Sequence, residues 1–116
     1  MVKHLPLLLS FLALLPKNTV AQCPTVGNTV AVTTTNPFGN GSLANAITCV
    51  NTTPNLTTIV FNMPGGGNQL IRPTAPLPTL SKAGASIDGN TQGSTVILDG
   101  SLLTAGGTGL TLSGNN

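Results

Sequence analysis

The chain has 116 residues, a formal net charge of +2 at pH 7, 40% hydrophobic residues and only 5% charged ones. So few charges exclude a clustered Lys/Arg footprint of the kind that holds nucleic acid or anionic lipid. Gly (14) and Pro (9) are frequent, but disorder goes with high net charge and few β-branched residues, whereas Thr, Val and Ile abound here, so Gly and Pro read as turn punctuation in an ordered chain.

In chain order, Met1-Val2-Lys3-His4 carries positive charge, Leu5 to Leu15 is an apolar run, and Pro16 and the small-residue stretch Thr19-Val20-Ala21 follow. This is the pattern of a secretory signal peptide cleaved after Ala21. The run is about half of the roughly 20 apolar residues a membrane span needs, so no span is expected once the leader is removed. A lipid-anchored start would require a small residue before Cys23, and Gln22 stands there. Cleavage leaves Arg72, Lys82, Asp88 and Asp99 as the charged side chains, and the mature chain is formally neutral. Export places Cys23 and Cys49 in an oxidising compartment, where a disulfide is favoured over metal binding. The alternatives are two separate small buried residues, or Cys23 loose at the new terminus.

Between Asn28 and Thr35, Val30, Val32 and Thr34 alternate with Thr29, Ala31 and Thr33 as in a strand, and Asn36-Pro37-Phe38-Gly39-Asn40-Gly41 is a turn cluster. Ser42 is placed to cap a short helix in which Leu43, Ala46, Ile47 and Val50 form one apolar stripe, ending before Thr53-Pro54. Five further strands are expected at Thr58-Ile59-Val60-Phe61, Gln69-Leu70-Ile71, Ala85-Ser86-Ile87, Thr95-Val96-Ile97-Leu98 and Leu110-Thr111-Leu112. No Asn-Gly or Asp-Gly linker joins two of them as a tight hairpin, which favours parallel stacking over an antiparallel meander. Ile87-Asp88-Gly89-Asn90 and Leu98-Asp99-Gly100-Ser101 repeat an aliphatic-Asp-Gly-polar pattern at an 11-residue interval. Asp88, Gly89, Asp99 and Gly100 are therefore turn residues, since Asp bonds nearby backbone amides and Gly accepts positive φ.

The order Gly41-Ser42-Leu43-x-x-Ala46-Ile47, Thr58-Ile59-Val60-Phe61-Asn62-Met63-Pro64-Gly65, Leu77-Pro78-Thr79-Leu80, Ile87-Asp88-Gly89-x-Thr91-Gln92, Leu98-Asp99-Gly100 and Gly109-Leu110-Thr111-Leu112 resembles the N-terminal region of bacterial secreted right-handed parallel β-helix repeat proteins. The resemblance runs from about Val30 to Gly114. It implies an all-β fold, the start of a right-handed parallel β-helix (solenoid) with a short N-terminal capping helix. Residues 1-21 would be the signal peptide, 22-56 the first strand and capping helix, and 57-116 the first coils of an incomplete β-helix. Such a stack requires Ile59, Ile87 and Ile97 to face inward and neighbouring segments to run in one direction. Ala44, where relatives often carry Arg, and Cys49 depart from the pattern. Because about three coils are needed to bury a solenoid's apolar faces, the chain is expected to be the front of a longer protein, prone to self-association through its open end.

Once the leader is removed the chain has no His, Glu, Tyr or Trp, so Ser-His-Asp and Cys-His arrangements and zinc sites lack their residues. Asp88 and Asp99 are the sole carboxylates that a glycosidase-like pair could draw on, and turn formation accounts for both. Gly65-Gly66-Gly67 lacks the Lys-Ser/Thr of a phosphate loop. Asn40-Gly41-Ser42, Asn51-Thr52-Thr53 and Asn55-Leu56-Thr57 match the glycosylation acceptor pattern, which matters only on a eukaryotic secretory route. The reading is a module that is not an enzyme, holds no cofactor and no metal, and serves adhesion or an extracellular scaffold, secreted or at the cell surface. Its partner would be an extracellular glycan or matrix, met through coils beyond this chain. The alternative is the leading fragment of a polysaccharide lyase or glycoside hydrolase whose catalytic coils lie beyond residue 116.

Overall fold

The computed structural model describes residues 23-114; the leader read at residues 1-21 lies outside them. Its strands are β1 (Thr25–Val26), β2 (Thr29–Val32), β3 (Thr58–Phe61), β4 (Gln69–Ile71), β5 (Ser86–Asp88) and β6 (Val96–Leu98), with one helix, α1 (Leu43–Thr52), and a 3-10 turn at Gly89–Gln92. They form a four-stranded sheet in the order β1-β2-β3-β5 and a two-stranded sheet of β4 and β6.

Helix α1 starts where its cap allows. Ser42 has extended backbone dihedrals and its hydroxyl oxygen accepts from Asn45 N at 3.1 Å, satisfying one of the helix's orphan amides. The predicted stripe of Leu43, Ala46, Ile47 and Val50 is buried, whereas Thr48 faces solvent. That stripe packs on β2 and β3, whose inward residues Val30, Val32, Ile59 and Phe61 are buried in turn. Each such aliphatic side chain removed from water contributes about 1.5–3 kcal/mol, so this helix-on-sheet contact is the main apolar store of the fold. At the C-terminus of α1 the Thr53 amide bonds Cys49 O, and Thr53 itself is extended.

Strands β2 and β3 are parallel, with Val30 beside Ile59 and Val32 beside Phe61. β3 and β5 are parallel, with Ile59 beside Ile87, as are β4 and β6, with Leu70 beside Ile97. β1 instead runs antiparallel to β2, with Thr25 opposite Val30 and Val26 opposite Thr29. The two-residue connection is Gly27-Asn28, in which Gly27 takes φ +62°, the first-position glycine that a tight hairpin of this hand requires.

This architecture corrects the expected all-β right-handed parallel β-helix. The described residues form a mixed α/β domain with one α-helix and two sheets, and not a solenoid of repeats. Two observations overturn that reading. The first strand pair is antiparallel, and Ile97, which a stacked coil must turn inward, is 40% exposed. The physical reason is that α1 supplies much of the core that further strands would otherwise have to fill. Of the five expected strands, Leu110-Thr111-Leu112 reduces to a single parallel bridge between Leu80 and Leu112, and Ala85 lies just outside β5.

Candidate functional site

Cys23 and Cys49 form a disulfide with a Cα–Cα distance of 5.8 Å, within the usual range for such a bond. Cys49 sits on the buried side of α1 beside the apolar stripe, and Cys23 immediately precedes the β1 hairpin. The bond therefore fastens the start of the described chain to the helix. It also commits the Cys23 sulfur, which leaves no thiol there to carry a lipid.

In each Asp-Gly segment the carboxylate accepts a backbone amide two residues further on. Asp88 Oδ1 accepts from Asn90 N at 3.0 Å and caps the 3-10 turn. Asp99 Oδ1 accepts from Ser101 N at 2.9 Å, and its Oδ2 accepts from Arg72 Nε at 3.0 Å. The backbone amide of Ser101 first, then its hydroxyl, and after them Arg72, hold the Asp99 carboxyl below the usual carboxylate range, against an opposing effect of desolvation. Gly89 and Gly100 follow these carboxylates, and neither has positive φ.

Other polar groups carry structure that local sequence did not announce. Lys82 Nζ donates to the carbonyl oxygens of Thr53, Pro54 and Leu56 at 2.7, 2.7 and 2.6 Å, gathering the chain that leaves α1. Gln92 Oε1 accepts from Met63 N and its Nε2 donates to Met63 O, at 2.8 and 2.9 Å. Thr91 Oγ1 accepts from Phe61 N at 2.8 Å. These two side chains take the place of backbone partners where β5 has ended, and so prolong the pairing along β3. Of the three glycosylation-type asparagines, Asn51 is bound to Thr79 O and Ser81 N, Asn55 is exposed, and the Asn40 motif places Ser42 in the buried helix cap.

An open region lies where the later strands end. Among the described residues β5 pairs only with β3, β6 only with β4, and Leu112 only with Leu80. Between them opens an apolar mouth of about 170 Å³, lined by residues including Phe61, Ile71, Ile87, Val96, Leu98 and Leu110. Beside it is a wider polar hollow lined by Gly89, Asn90, Gly93, Ser94, Thr95 and Val96. Around this end Ile97, Leu98 and Leu112 remain exposed. Sequence reading located these strands but not their exposure, because apolar character alone does not say whether a neighbour arrives.

Among the described residues there is no group of His, Cys, Asp and Glu arranged to hold a metal ion, and no helix is long and apolar enough to cross a membrane. Compared with protein-family models, curated proteins and solved structures, the chain matches none of them, and nothing in those comparisons places it in the family its motifs resemble.

Proposed function

We propose that the chain is a non-catalytic, exported scaffold or adhesion module, which works by presenting a surface. The observation that carries this reading is the Cys23–Cys49 bond, because a disulfide that clasps a small domain belongs to an oxidising compartment. The carboxylates support it: Asp88 and Asp99 each accept a backbone amide of their own turn, and Asp99 also holds Arg72. A glycosidase instead needs one carboxyl held protonated and a second one facing it across the substrate, and Asp99 is shifted the opposite way. The secretory pattern of residues 1-21 agrees with export, and the exposed surface, rich in Thr, Asn and Gly, suits contact with an extracellular glycan or matrix.

The test has two parts. Residues 1-21 fused to a reporter should export it, and the oxidised chain incubated with a panel of acidic and neutral polysaccharides should release no reducing or unsaturated ends while being retained on at least one glycan or matrix surface. Release of cleaved sugar would overturn the non-catalytic reading, and a reporter held inside the cell would overturn export.

A further inference from the structure

The four-stranded sheet has two unlike edges. At one, β1 is two residues long, follows Pro24, and is anchored by the adjacent disulfide at Cys23. A very short strand beside a proline, which has no N–H, is how proteins guard a sheet edge against further pairing. At the other edge, β5 reads Ser86-Ile87-Asp88, with no Lys, no Pro and no bulge. Its outer side borders the apolar mouth lined by Ile87, Val96, Leu98 and Leu110.

We propose that the β5 edge pairs with the β5 edge of a second copy of this chain, giving a closed two-fold dimer. This deepens the scaffold reading by naming the partner of its open end, and association is scored separately from export and turnover. The edges of the sheet decide the arrangement. A copy arriving head to tail would have to pair β5 with β1, the two-residue edge strand beside Pro24 that the disulfide at Cys23 anchors, so the unguarded edge of this sheet that β5 can meet is its own like. A two-fold axis through Ile87 makes the pair antiparallel and sets Ser86 of each copy opposite Asp88 of the other. Asp88 uses Oδ1 for Asn90 N, which leaves its second oxygen to accept from the Ser86 hydroxyl of the facing copy. That hydroxyl now makes only a long 3.4 Å contact with Thr58 Oγ1. Charge does not oppose the approach, since the mature chain is neutral and Asp99 is paired with Arg72. An isologous contact uses itself up, so assembly stops at two.

The experiment is sedimentation equilibrium on the oxidised chain 22-116 over a wide range of concentration, for the wild type and two variants at exposed Ser86. A reversible monomer–dimer equilibrium is expected, with no disulfide between chains. Ser86→Asp sets two like-charge pairs across the axis and should weaken the dimer roughly tenfold, whereas Ser86→Lys sets two opposite-charge pairs and should tighten it. Neither change touches the core, and unchanged circular dichroism verifies that both fold. Species growing beyond the dimer would overturn the closed arrangement, and equal behaviour of the two variants would overturn the β5 contact. A chain that stays monomeric throughout would leave the edge to some other extended segment and overturn the proposal.

Discussion

Three carbonyl oxygens converge on the Lys82 ammonium, and they come from the stretch that must leave α1 and turn into β3. An ammonium group offers three donors from one nitrogen, a geometry that the planar guanidinium of Arg does not reproduce. Lys82→Met should lower the unfolding free energy by about 2 kcal/mol, because charge-assisted bonds are lost and carbonyls are left unmatched. Lys82→Arg should recover only part of it. Urea unfolding of the three proteins decides the matter, and a Met variant as stable as the parent would show the tripod to be incidental. Asp99 is the second residue with a measurable signature. Its folded pKa is depressed, so whatever stability it lends is present above the unfolded value and is lost as pH falls through the folded one; contact with solvent at this half-buried turn keeps that contribution small. The titration of the carboxyl is therefore the better readout. Because the Ser101 amide and hydroxyl, both lost in a proline, each act more strongly than either contribution of Arg72, Ser101→Pro should raise the Asp99 midpoint more than Arg72→Gln does when followed by NMR. The reverse order would refute the assignment.

At the scale of elements, α1 was legible because everything that makes it is local: a capping Ser42, an apolar stripe at helical spacing, and Pro54 just beyond its end. Strands β2 to β6 were legible as short apolar runs between turn residues. The β1 hairpin was not, although Gly27-Asn28 is one of the dipeptides that close such turns, because two exposed strand residues carry no periodicity to read. The contacts of Lys82, Thr91, Gln92 and Asn51 escaped for another reason: each joins residues 26 to 30 positions apart, and a lone polar residue does not declare a distant partner. Of the open end, the apolar residues were foreseen but Ile97, expected to face inward, is exposed, since α1 had already filled the core from the opposite side. Gln92 offers the test at this scale. Its amide gives Met63 both partners that a neighbouring strand would have supplied, so Gln92→Leu, of similar size, strands the Met63 N–H and C=O. A loss of about 1–3 kcal/mol is expected, with the β3 amides near Met63 losing protection first in hydrogen exchange. Unchanged exchange at Met63 would mean that the side chain only decorates the turn.

Across the whole molecule the core is unevenly distributed. Buried apolar side chains run from Val30 to Leu80, and none of the described residues after Leu80 is buried. The disulfide, the β1 hairpin, α1 and the Lys82 clasp all reinforce the first part, whereas β5 and β6 each rest on one neighbour. Cross-linking Cys23 to Cys49 ties together residues with a sequence separation of 26, which in the chain-entropy account stabilises a fold by roughly 3 kcal/mol. That gain is felt only by openings that release the loop. Opening of β6 with the chain after it leaves α1, β2 and the disulfide intact, so it costs less than global unfolding, as expected for segments with few buried contacts. Native-state hydrogen exchange on dilute, monomeric protein should therefore show two tiers: amides of β2, α1 and β3 opening near the global free energy, and Val96 to Leu98 opening well below it. Reduction of the disulfide should lower the upper tier and leave the lower one in place, because the small opening never breaks that loop. A single shared value for all amides, or a lower tier that falls with the upper on reduction, would mean that the molecule opens as one cooperative unit and that its exposed end is as firmly held as its clasped one.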